Sequence, residues 1–337
     1  MTKSQFINTL LTLALFSSPA VAKSPAALPR LHADPARVSV SGLSSGGFMA
    51  VQYDVAFSSE VMGVGVVAGG PYNCAFVNAG GIETCLQGLP VGAASYAAAT
   101  GFAVLGEIDA PSNLAAGKVY LFSGTDDAVV RQPVMNAVRD FYTAAGVPEG
   151  NLTYVNDVPA GHAFLSSVFG GACSATGAPF VNQCTIGGTL YDQPGAILAW
   201  LYGTLQPRSA SPAATPVAFD QTAYAGIVAG MAATGYVYIP PACKTSGGRG
   251  CAVHVVFHGC QQGAGEVKDA VYGRTGYNEW ADSNKLILLY PQIDPTTFPV
   301  NPQGCWDWWG FTGLNFQTRW GAQLAAVHAM VARLTGQ

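Results

Sequence analysis

Short apolar runs alternate with helical stretches along this chain, and this alternation constrains the fold more than any other feature. The runs typical of buried strands are Val38–Ser41, Val64–Ala68, Val119–Phe122, Leu152–Val158, Tyr236–Ile239, Val253–Phe257 and Leu286–Tyr290. The helical stretches are Phe48–Phe57, Val134–Ala145, Ala196–Tyr202, a segment around Asn278–Ser283, and Ala322–Leu334. Buried parallel strands joined by crossover helices give this pattern. The sequence therefore predicts an α/β protein with a mostly parallel, doubly wound sheet.

One stretch resembles a linker, residues 206–216 (QPRSASPAATP), which is rich in Pro, Ser and Ala. It could separate two domains. Neither half of the chain, however, has enough predicted strands for a complete sheet. We therefore predict one sheet built from both halves, in a single domain over residues 23–337 with 206–216 as an internal linker.

The first 22 residues have the pattern of a signal peptide. A positive charge at Lys3 precedes the apolar run Phe6–Phe16, and Ala20-Val21-Ala22 has the small residues that signal peptidase cuts between. The run is shorter than the roughly 20 residues of a membrane-spanning helix, and no later stretch is long enough. We predict cleavage after Ala22, no membrane span, and secretion into the periplasm or the extracellular space.

Cysteine usage agrees with an oxidising compartment. The eight cysteines are Cys74, Cys85, Cys173, Cys184, Cys243, Cys251, Cys260 and Cys305. Sequence alone cannot fix their connectivity, but three close couples (74/85, 173/184 and 243/251) leave 260 and 305 over, and we predict sequential pairing. None has CxxC spacing, so the pattern does not predict a zinc site or a redox dithiol.

Composition excludes two further classes. Half of the 337 residues are hydrophobic and only 10% are charged, against about 25% in an average soluble domain, which argues against intrinsic disorder. The net charge is −4, and no basic stripe is present that could track phosphates. We therefore expect a globular protein with no nucleic-acid partner.

The motif Gly42-Leu43-Ser44-Ser45-Gly46 is the first that carries chemistry. It is G-x-S-x-G between a predicted strand and a predicted helix, the context of a nucleophile elbow. Ser44 is the predicted nucleophile, and the backbone N–H of Ser45 is a predicted oxyanion donor. A chain with 41 Gly can match the pattern by chance, but the strand and helix context favours the catalytic interpretation. Ser45 is a weaker candidate nucleophile because it lacks a Gly two residues before it.

A serine nucleophile needs a base and an orienting acid, which in α/β hydrolases follow on later strands in the order Ser, Asp, His. The turn after Val119–Phe122 contains Asp126 and Asp127, and we predict Asp127 as the acid with Asp126 as the alternative. The loop after Leu152–Val158 contains His162, which we predict as the base.

The other histidines are weaker candidates for the base. His32 follows the signal peptide, His254 lies inside a strand and is expected to be packed, and His328 lies in the C-terminal helix. His258 is different because it opens His258-Gly259-Cys260-Gln261-Gln262 at a strand end, and H-G there is typical of the oxyanion loop of lipases and esterases. We predict the Cys260 amide as the second oxyanion donor, and keep His258 as an alternative base.

The order of these motifs is unusual. In ordinary α/β hydrolases the H-G strand precedes the G-x-S-x-G strand, whereas here it follows by more than 200 residues. The C-terminal helix Ala322–Leu334 is the kind of helix that normally leads into the serine's strand. We therefore predict a circularly permuted α/β-hydrolase fold in which residues 206–216 join the ends of the unpermuted chain.

These motifs together resemble the circularly permuted poly(3-hydroxybutyrate) depolymerases, which are secreted single-domain enzymes. The resemblance rests on GLSSGGFMA around Ser44, Gly161-His162-Ala163-Phe164 and HGCQQ at 258–262. It extends to NEWAD at 278–282, YPQ at 290–292 and CWDWW at 305–309, and so covers nearly the whole mature chain. It implies the triad Ser44, Asp127 and His162, the oxyanion amides of Ser45 and Cys260, and a Cys260–Cys305 disulfide that anchors the oxyanion loop.

The expected activity is hydrolysis of a polyester through an acyl-enzyme, with no metal or organic cofactor. Trp306, Trp308 and Trp309 are predicted to line an apolar cleft for the polymer chain, and we expect a monomer. One alternative is a feruloyl or acetyl esterase that acts on plant cell walls. Another is a secreted binding module on an inactive hydrolase scaffold, which the intact Ser44, Asp127 and His162 argue against.

Overall fold

The computed structural model describes Met1 and residues 25–337, so the predicted signal peptide lies outside the described residues. The strands are β1 (Val38–Leu43), β2 (Val61–Val67), β3 (Lys118–Phe122), β4 (Leu152–Val155), β5 (Phe164–Leu165), β6 (Gly171–Ala172), β7 (Val181–Gln183), β8 (Thr185–Ile186), β9 (Thr189–Leu190), β10 (Val217–Asp220), β11 (Thr234–Tyr238), β12 (Ala252–Phe257) and β13 (Leu286–Tyr290). The helices are α1 (Ser45–Ala56), α2 (Cys74–Val77), α3 (Gly81–Gln87), α4 (Gly92–Val104), α5 (Gln132–Ala144), α6 (Gln193–Tyr202), α7 (Pro241–Thr245), α8 (Ala264–Val267), α9 (Tyr277–Asn284) and α10 (Ala322–Thr335). Short 3-10 helices are Pro35–Arg37, Pro111–Ala116, Glu149–Asn151 and Ile227–Ala229.

Both halves of the chain contribute to one eight-stranded sheet of order β10-β11-β13-β12-β1-β2-β3-β4. The strands from β13 to β4 are parallel, whereas β10 and β11 are antiparallel additions at one edge. In the centre, Val40 of β1 lies between Val255 of β12 and Val64 of β2. The predicted single, mostly parallel sheet is confirmed.

Helices cover both faces of this sheet. On one face α1, α5 and α10 contribute Met49, Val138 and Met330 to a core cluster. On the other face α6 and α9 contribute Ile197 and Tyr277 to a second cluster. Burial on both faces explains why the central strands are apolar runs without alternation.

The segment between β2 and β3 holds three helices, α2 to α4, that the apolar periodicity did not reveal. Helix α4 (GAASYAAATGFAV) is made largely of small and apolar residues, so it has no polar stripe to mark one face. The Cys74–Cys85 disulfide joins α2 to α3. Helix α3 then packs beside the mouth of the site described below.

All eight cysteines are paired in the structure. The bonds are Cys74–Cys85, Cys173–Cys184, Cys243–Cys251 and Cys260–Cys305, the couples expected from the spacing and from the resemblance. The first three close short loops, whereas Cys260–Cys305 joins residues that are 45 apart in sequence.

Residues 206–216 connect the two halves without a helix or strand. The Gln206 amide donates to Asn284 Oδ1 at 2.7 Å, and the Ser209 amide donates to the Glu279 carbonyl at 3.0 Å. The segment therefore packs along α9 before the chain enters β10. None of the helices in the described part of the chain is long and apolar enough to cross a membrane.

Candidate active site

The Ser44 backbone makes a sharp turn between β1 and α1. Its φ of 57° and ψ of −124° are strained for a residue with a side chain. The turn requires glycine on both sides: a Cβ on Gly42 would lie 2.1 Å from the Gly46 carbonyl oxygen, and a Cβ on Gly46 would lie 2.4 Å from the carbonyl oxygens of Phe257 and His258. The G-x-S-x-G spacing thus reflects close packing of β1, α1 and the end of β12, and the turn is that of a nucleophile elbow.

Asp127 and His162 form a buried pair. Asp127 Oδ2 accepts from His162 Nδ1 at 2.8 Å, and the two side chains are only 2% and 5% exposed. Asp127 Oδ1 accepts from the amides of Val129 and Val130 at 2.8 and 2.9 Å. With Nδ1–H donated to the carboxylate, Nε2 of His162 is left as the basic nitrogen.

Asp126 is placed differently. Its side chain is exposed, and the one hydrogen bond of that side chain within residues 25–337 comes from the neighbouring Thr125 hydroxyl, at 3.4 Å from Oδ1. The structure therefore brings Asp127 to His162, and leaves Asp126 facing solvent.

The carboxyl ends of β1, β3, β4 and β12 meet at one edge of the sheet, because these strands are parallel. A pocket of about 330 Å³ opens there, with Ser44 and His162 in its lining. The remaining lining residues are Ser45, Phe48, Ile82, Leu86, Val129, Phe180, Cys260, Gln261, Gln303, Cys305, Trp308 and Trp309. The walls are mainly apolar, with a few polar groups beside the serine, as is usual for sites that bind small molecules.

Two backbone amides at this pocket are free to bind an oxyanion. Ser45 begins α1, and its N–H has no intrahelical acceptor there. Within residues 25–337, neither the Ser45 nor the Cys260 amide donates to a protein acceptor. Both residues line the pocket next to Ser44. The arrangement can hold negative charge that develops on a carbonyl oxygen.

Gln262 holds the loop that carries the Cys260 amide. Its Oε1 accepts from the Gly259 amide at 2.7 Å, and its Nε2 donates to the carbonyls of Pro179 and Phe180 at 3.0 Å. This buried side chain therefore ties the oxyanion loop to the segment that carries Phe180, on the opposite wall. The sequence placed Gln262 in the HGCQQ motif but assigned it no role.

His258 is structural in this arrangement. Its Nε2 accepts from the Ile293 amide at 3.0 Å, which leaves Nδ1 as the donor to the Gly259 carbonyl at 2.7 Å. Burial lowers the pKa of His258 to about 4, although the bond to Gly259 raises it in part. Both nitrogens of this neutral ring are therefore occupied, and the side chain braces the loop that carries Cys260.

The remaining histidines lie outside the pocket. His254 is fully buried between the hydroxyls of Ser39 and Ser41, at 2.7 and 2.9 Å, and burial lowers its pKa to about 3. His328 contacts Glu60, with Nε2 3.0 Å from Oε2, and His32 is exposed near the N-terminus of the described residues.

The three tryptophans separate into two environments. Trp308 and Trp309 line the pocket, and Trp308 stacks on Phe48 with ring centroids 4.1 Å apart. Trp306 differs from the expectation: its side chain is fully buried against Phe257, outside the pocket lining. Trp306 and Trp308 are two residues apart and would share a side in a regular strand, but this segment is irregular, and packing against Phe257 and His258 holds the Trp306 ring in the core. Its backbone amide donates to Ser45 Oγ at 3.3 Å.

The Asp307 carboxylate holds the backbone of the loop that follows Trp308. Its Oδ1 accepts from the amides of Trp309, Gly310 and Phe311, and its Oδ2 accepts from the amide and hydroxyl of Thr312, at 2.6 to 3.2 Å. Burial raises the pKa of Asp307, and the bonds from Thr312, Gly310 and Trp309 oppose this. The carboxylate therefore fixes the loop that begins at Trp309.

Most of the apolar lining was not found by sequence reasoning. Phe48, Ile82, Leu86, Val129 and Phe180 come from four separate segments, since Ile82 and Leu86 share α3, and no local motif relates the four segments. Asp307 lies within CWDWW, but nothing in that motif indicates that its carboxylate organises the following loop. Within the described residues, no group of three or more His, Cys, Asp or Glu side chains is placed to hold a metal ion.

Known proteins are similar to this chain in sequence and in fold, although no family profile matches it. It is 43% identical to the poly(3-hydroxybutyrate) depolymerase of Delftia acidovorans over 317 residues, which are 91% of this chain and 61% of that enzyme. The chain thus spans about three fifths of the length of the Delftia protein. It is 37% identical to the polyhydroxybutyrate depolymerase of Talaromyces funiculosus, with 91% of this chain and 92% of that enzyme aligned.

Solved structures of depolymerases are also similar to this chain. The crystal structure of the PHB depolymerase from Penicillium funiculosum superimposes with a TM-score of 0.83 and 34% identity, covering 92% of this chain and 99% of that one. A PHB depolymerase variant complexed with an R3HB trimer superimposes equally well, at 35% identity and with the same coverage. The resemblance seen in the motifs is thereby confirmed, and the chain belongs to the poly(3-hydroxybutyrate) depolymerases, a family of ester hydrolases.

Proposed function

We propose that this protein hydrolyses poly(3-hydroxybutyrate) or a related polyhydroxyalkanoate through a serine acyl-enzyme. The observation that carries the proposal is the buried Asp127–His162 pair, in which Oδ2 and Nδ1 are 2.8 Å apart. His162 of this pair and Ser44 of the elbow line the same apolar pocket. The R3HB trimer bound to a homologous depolymerase supports the choice of substrate.

In the first half-reaction, His162 Nε2 takes the Ser44 proton as Oγ attacks the ester carbonyl carbon. The amides of Ser45 and Cys260 hold the oxyanion, each worth roughly 10²–10³-fold in rate. The tetrahedral species collapses as His162 returns the proton to the leaving alkoxide. Asp127 keeps the imidazole in the required tautomer and stabilises the imidazolium.

In the second half-reaction, His162 removes a proton from water, and the resulting hydroxide attacks the 3-hydroxyacyl ester of Ser44. Collapse of the second tetrahedral species returns the proton to Ser44 and releases a 3-hydroxy acid end. Trp308, Trp309, Phe48 and Phe180 form apolar walls that suit the methyl groups of the polyester chain.

The proposed function is tested by product analysis after incubation with amorphous poly(3-hydroxybutyrate). Wild-type protein should release 3-hydroxybutyrate oligomers or monomers, whereas Ser44→Ala should release none, with Ser59→Ala as a control far from the pocket. Hydrolysis that persists in Ser44→Ala would show that the nucleophile is wrong. Cleavage of methyl ferulate alone would instead favour a feruloyl esterase.

We also propose that the protein acts after export, with residues 1–22 removed as a signal peptide. Four disulfides within the described residues support an oxidising compartment. N-terminal sequencing of the exported protein should begin at Lys23; a protein that retains its first residues would contradict this.

The circular permutation is likewise a proposal. Its support is that β12, which carries the oxyanion loop, lies directly beside β1 although it follows β1 by some 200 residues in sequence. Residues 206–216 would then be the joint. A variant re-ligated so that the chain begins at β10 and residue 337 connects to residue 25 should fold and keep activity; failure to fold would argue against the proposal.

A further inference from the structure

Gln87 connects the helix beside the pocket to the turn that carries Asp127. It is the last residue of α3, and its half-buried Nε2 donates to the carbonyls of Ala128 and Val129, both at 2.7 Å. The Arg131 amide also donates to the Leu86 carbonyl at 2.9 Å. The end of α3 is therefore bonded to this turn at three points.

The two peptide groups that accept from Gln87 are the same two that hold the carboxylate. The carbonyl of Ala128 and the amide of Val129 belong to one peptide group, and the next group joins the Val129 carbonyl to the Val130 amide. These amides donate to Asp127 Oδ1 at 2.8 and 2.9 Å. Each of these two peptide groups thus accepts a hydrogen bond from Gln87 through its carbonyl and donates one to Asp127 through its amide, so that the two bonds form a series.

Hydrogen bonds in series polarise one another. A carbonyl that accepts from Gln87 makes its own N–H a stronger donor, and stronger donors stabilise the charged form of a carboxylate. The series ends at the bond between Asp127 Oδ2 and His162 Nδ1, at 2.8 Å. Loss of the Gln87 donors would therefore weaken the two hydrogen bonds that stabilise the Asp127 carboxylate.

We propose that Gln87 is a positioning residue for the catalytic acid and base, which it affects through the peptide groups of the Asp127 turn. The proposal rests on the proposed function only for its activity readout. Charged side chains on the surrounding elements are Glu83 on α3, Asp126 and Arg131 on the turn, and Asp157 on the His162 loop, all exposed. None of them changes in the variants used below.

Three substitutions separate tuning from a merely structural role. Gln87→Leu removes both donors, Gln87→Glu also adds a negative charge, and Gln87→Lys restores donors with a positive charge. A less stabilised Asp127 carboxylate attracts the shared Nδ1 proton more strongly, and it therefore favours the protonated imidazolium of His162. The acid limb of the kcat/KM profile, where the imidazolium loses its proton, should then move to higher pH. We expect a shift on the order of half a pH unit for Leu and more for Glu, with Lys at or below wild type.

The matched control is Gln132→Leu. The Gln132 amide also donates to backbone carbonyls, that of Asn156 at 2.7 Å and that of Ser123 at 3.5 Å, but neither of these peptide groups donates to Asp127. Its profile should match wild type. If all three Gln87 variants move the acid limb in the same direction, or none moves it, the proposal is overturned.

A readout that needs no substrate distinguishes this proposal from the proposed function. The proton between His162 Nδ1 and Asp127 is followed as a low-field proton resonance, assigned by its loss in His162→Gln. It should move downfield in Gln87→Leu and Gln87→Glu, but not in Gln87→Lys. If these shifts occur but the protein hydrolyses no polyester, the proposed function is wrong and the role of Gln87 stands. If the enzyme is active but the resonance does not move, the role of Gln87 is wrong.

Discussion

The two sides of the pocket are built in different ways. The triad edge, which carries Ser44, Asp127 and His162, consists of short turns at the carboxyl ends of β1, β3 and β4. The tryptophan segment, residues 301–312, has no helix or regular strand. Its shape depends on the Cys260–Cys305 disulfide, on a reciprocal pair of bonds between Asn301 and Cys305, and on the Asp307 carboxylate.

The two sides of the pocket should therefore respond differently to mutation. The triad edge inherits its geometry from a parallel sheet whose strand ends must converge, so single changes there should affect chemistry. The tryptophan segment is held by a few polar side chains, so single changes there should affect substrate binding.

Asp127→Asn should lower kcat by about 10⁴-fold, because the amide favours the wrong tautomer of His162 while keeping its geometry. Steady-state kinetics on a soluble 3-hydroxybutyrate trimer measures this loss. Asp126→Asn, one residue earlier and exposed, is the control and should retain wild-type kcat. A larger loss in Asp126→Asn would reverse the assignment of the acid.

Gln262→Ala should lower kcat by about ten- to hundredfold with little change in KM, since it frees the loop of the Cys260 amide without removing that donor. Gln262→Glu keeps the acceptor for the Gly259 amide but loses the donors to Pro179 and Phe180. Its kcat should fall between those of wild type and Gln262→Ala. Equal losses in both variants would show that only the bonds to the opposite wall matter.

Asp307→Asn should raise KM for the trimer about fivefold, because an amide cannot accept all five bonds from the loop after Trp308. The kcat for a short acetyl ester should change little. Asp109→Asn provides the control: it loses the 2.8 Å ion pair with Arg319, which lies outside the pocket lining, and should leave KM unchanged. A fall in kcat for both substrates would place the tryptophan segment in the chemistry itself.

Asp54 lies on α1, the helix that begins at the Ser44 elbow, and it should make the stability of the fold depend on pH. Burial raises its pKa from 3.8 to about 7, against the opposing bond from Tyr142 at 2.8 Å. The folded state therefore holds the proton more tightly than the unfolded state, and stability is lost as pH rises from about pH 4 to about pH 7. Asp54→Asn should remove this loss in thermal unfolding, whereas Asp140→Asn at an exposed site should keep it.

The sequence was sufficient for the triad edge because its constraints are local. The apolar runs located the ends of β1 and β3 to within two residues, and glycines at fixed spacing marked the Ser44 turn. The predicted strand Leu152–Val158 was too long, because β4 ends at Val155 and the last three residues of the predicted strand belong to the loop that leads to His162. The acid was left between Asp126 and Asp127, since only the folded turn shows which of two adjacent carboxylates faces the histidine.

The tryptophan segment was harder to predict because its constraints are not local. Which of Trp306, Trp308 and Trp309 face the pocket depends on the twist of an irregular segment and on packing against Phe48 and Phe257. The bonds of Gln87 and Gln262 join residues about 40 and 80 positions apart in sequence. No periodicity or motif records such pairs.

The most direct test of the account compares Ser44→Ala, His162→Ala and the double variant on the soluble trimer. Residues that act as one unit are non-additive, so each single variant should lose about as much kcat as the double variant, on the order of 10⁶-fold. If the losses multiply instead, or if Ser44→Ala keeps substantial activity, Ser44 and His162 do not share one reaction step.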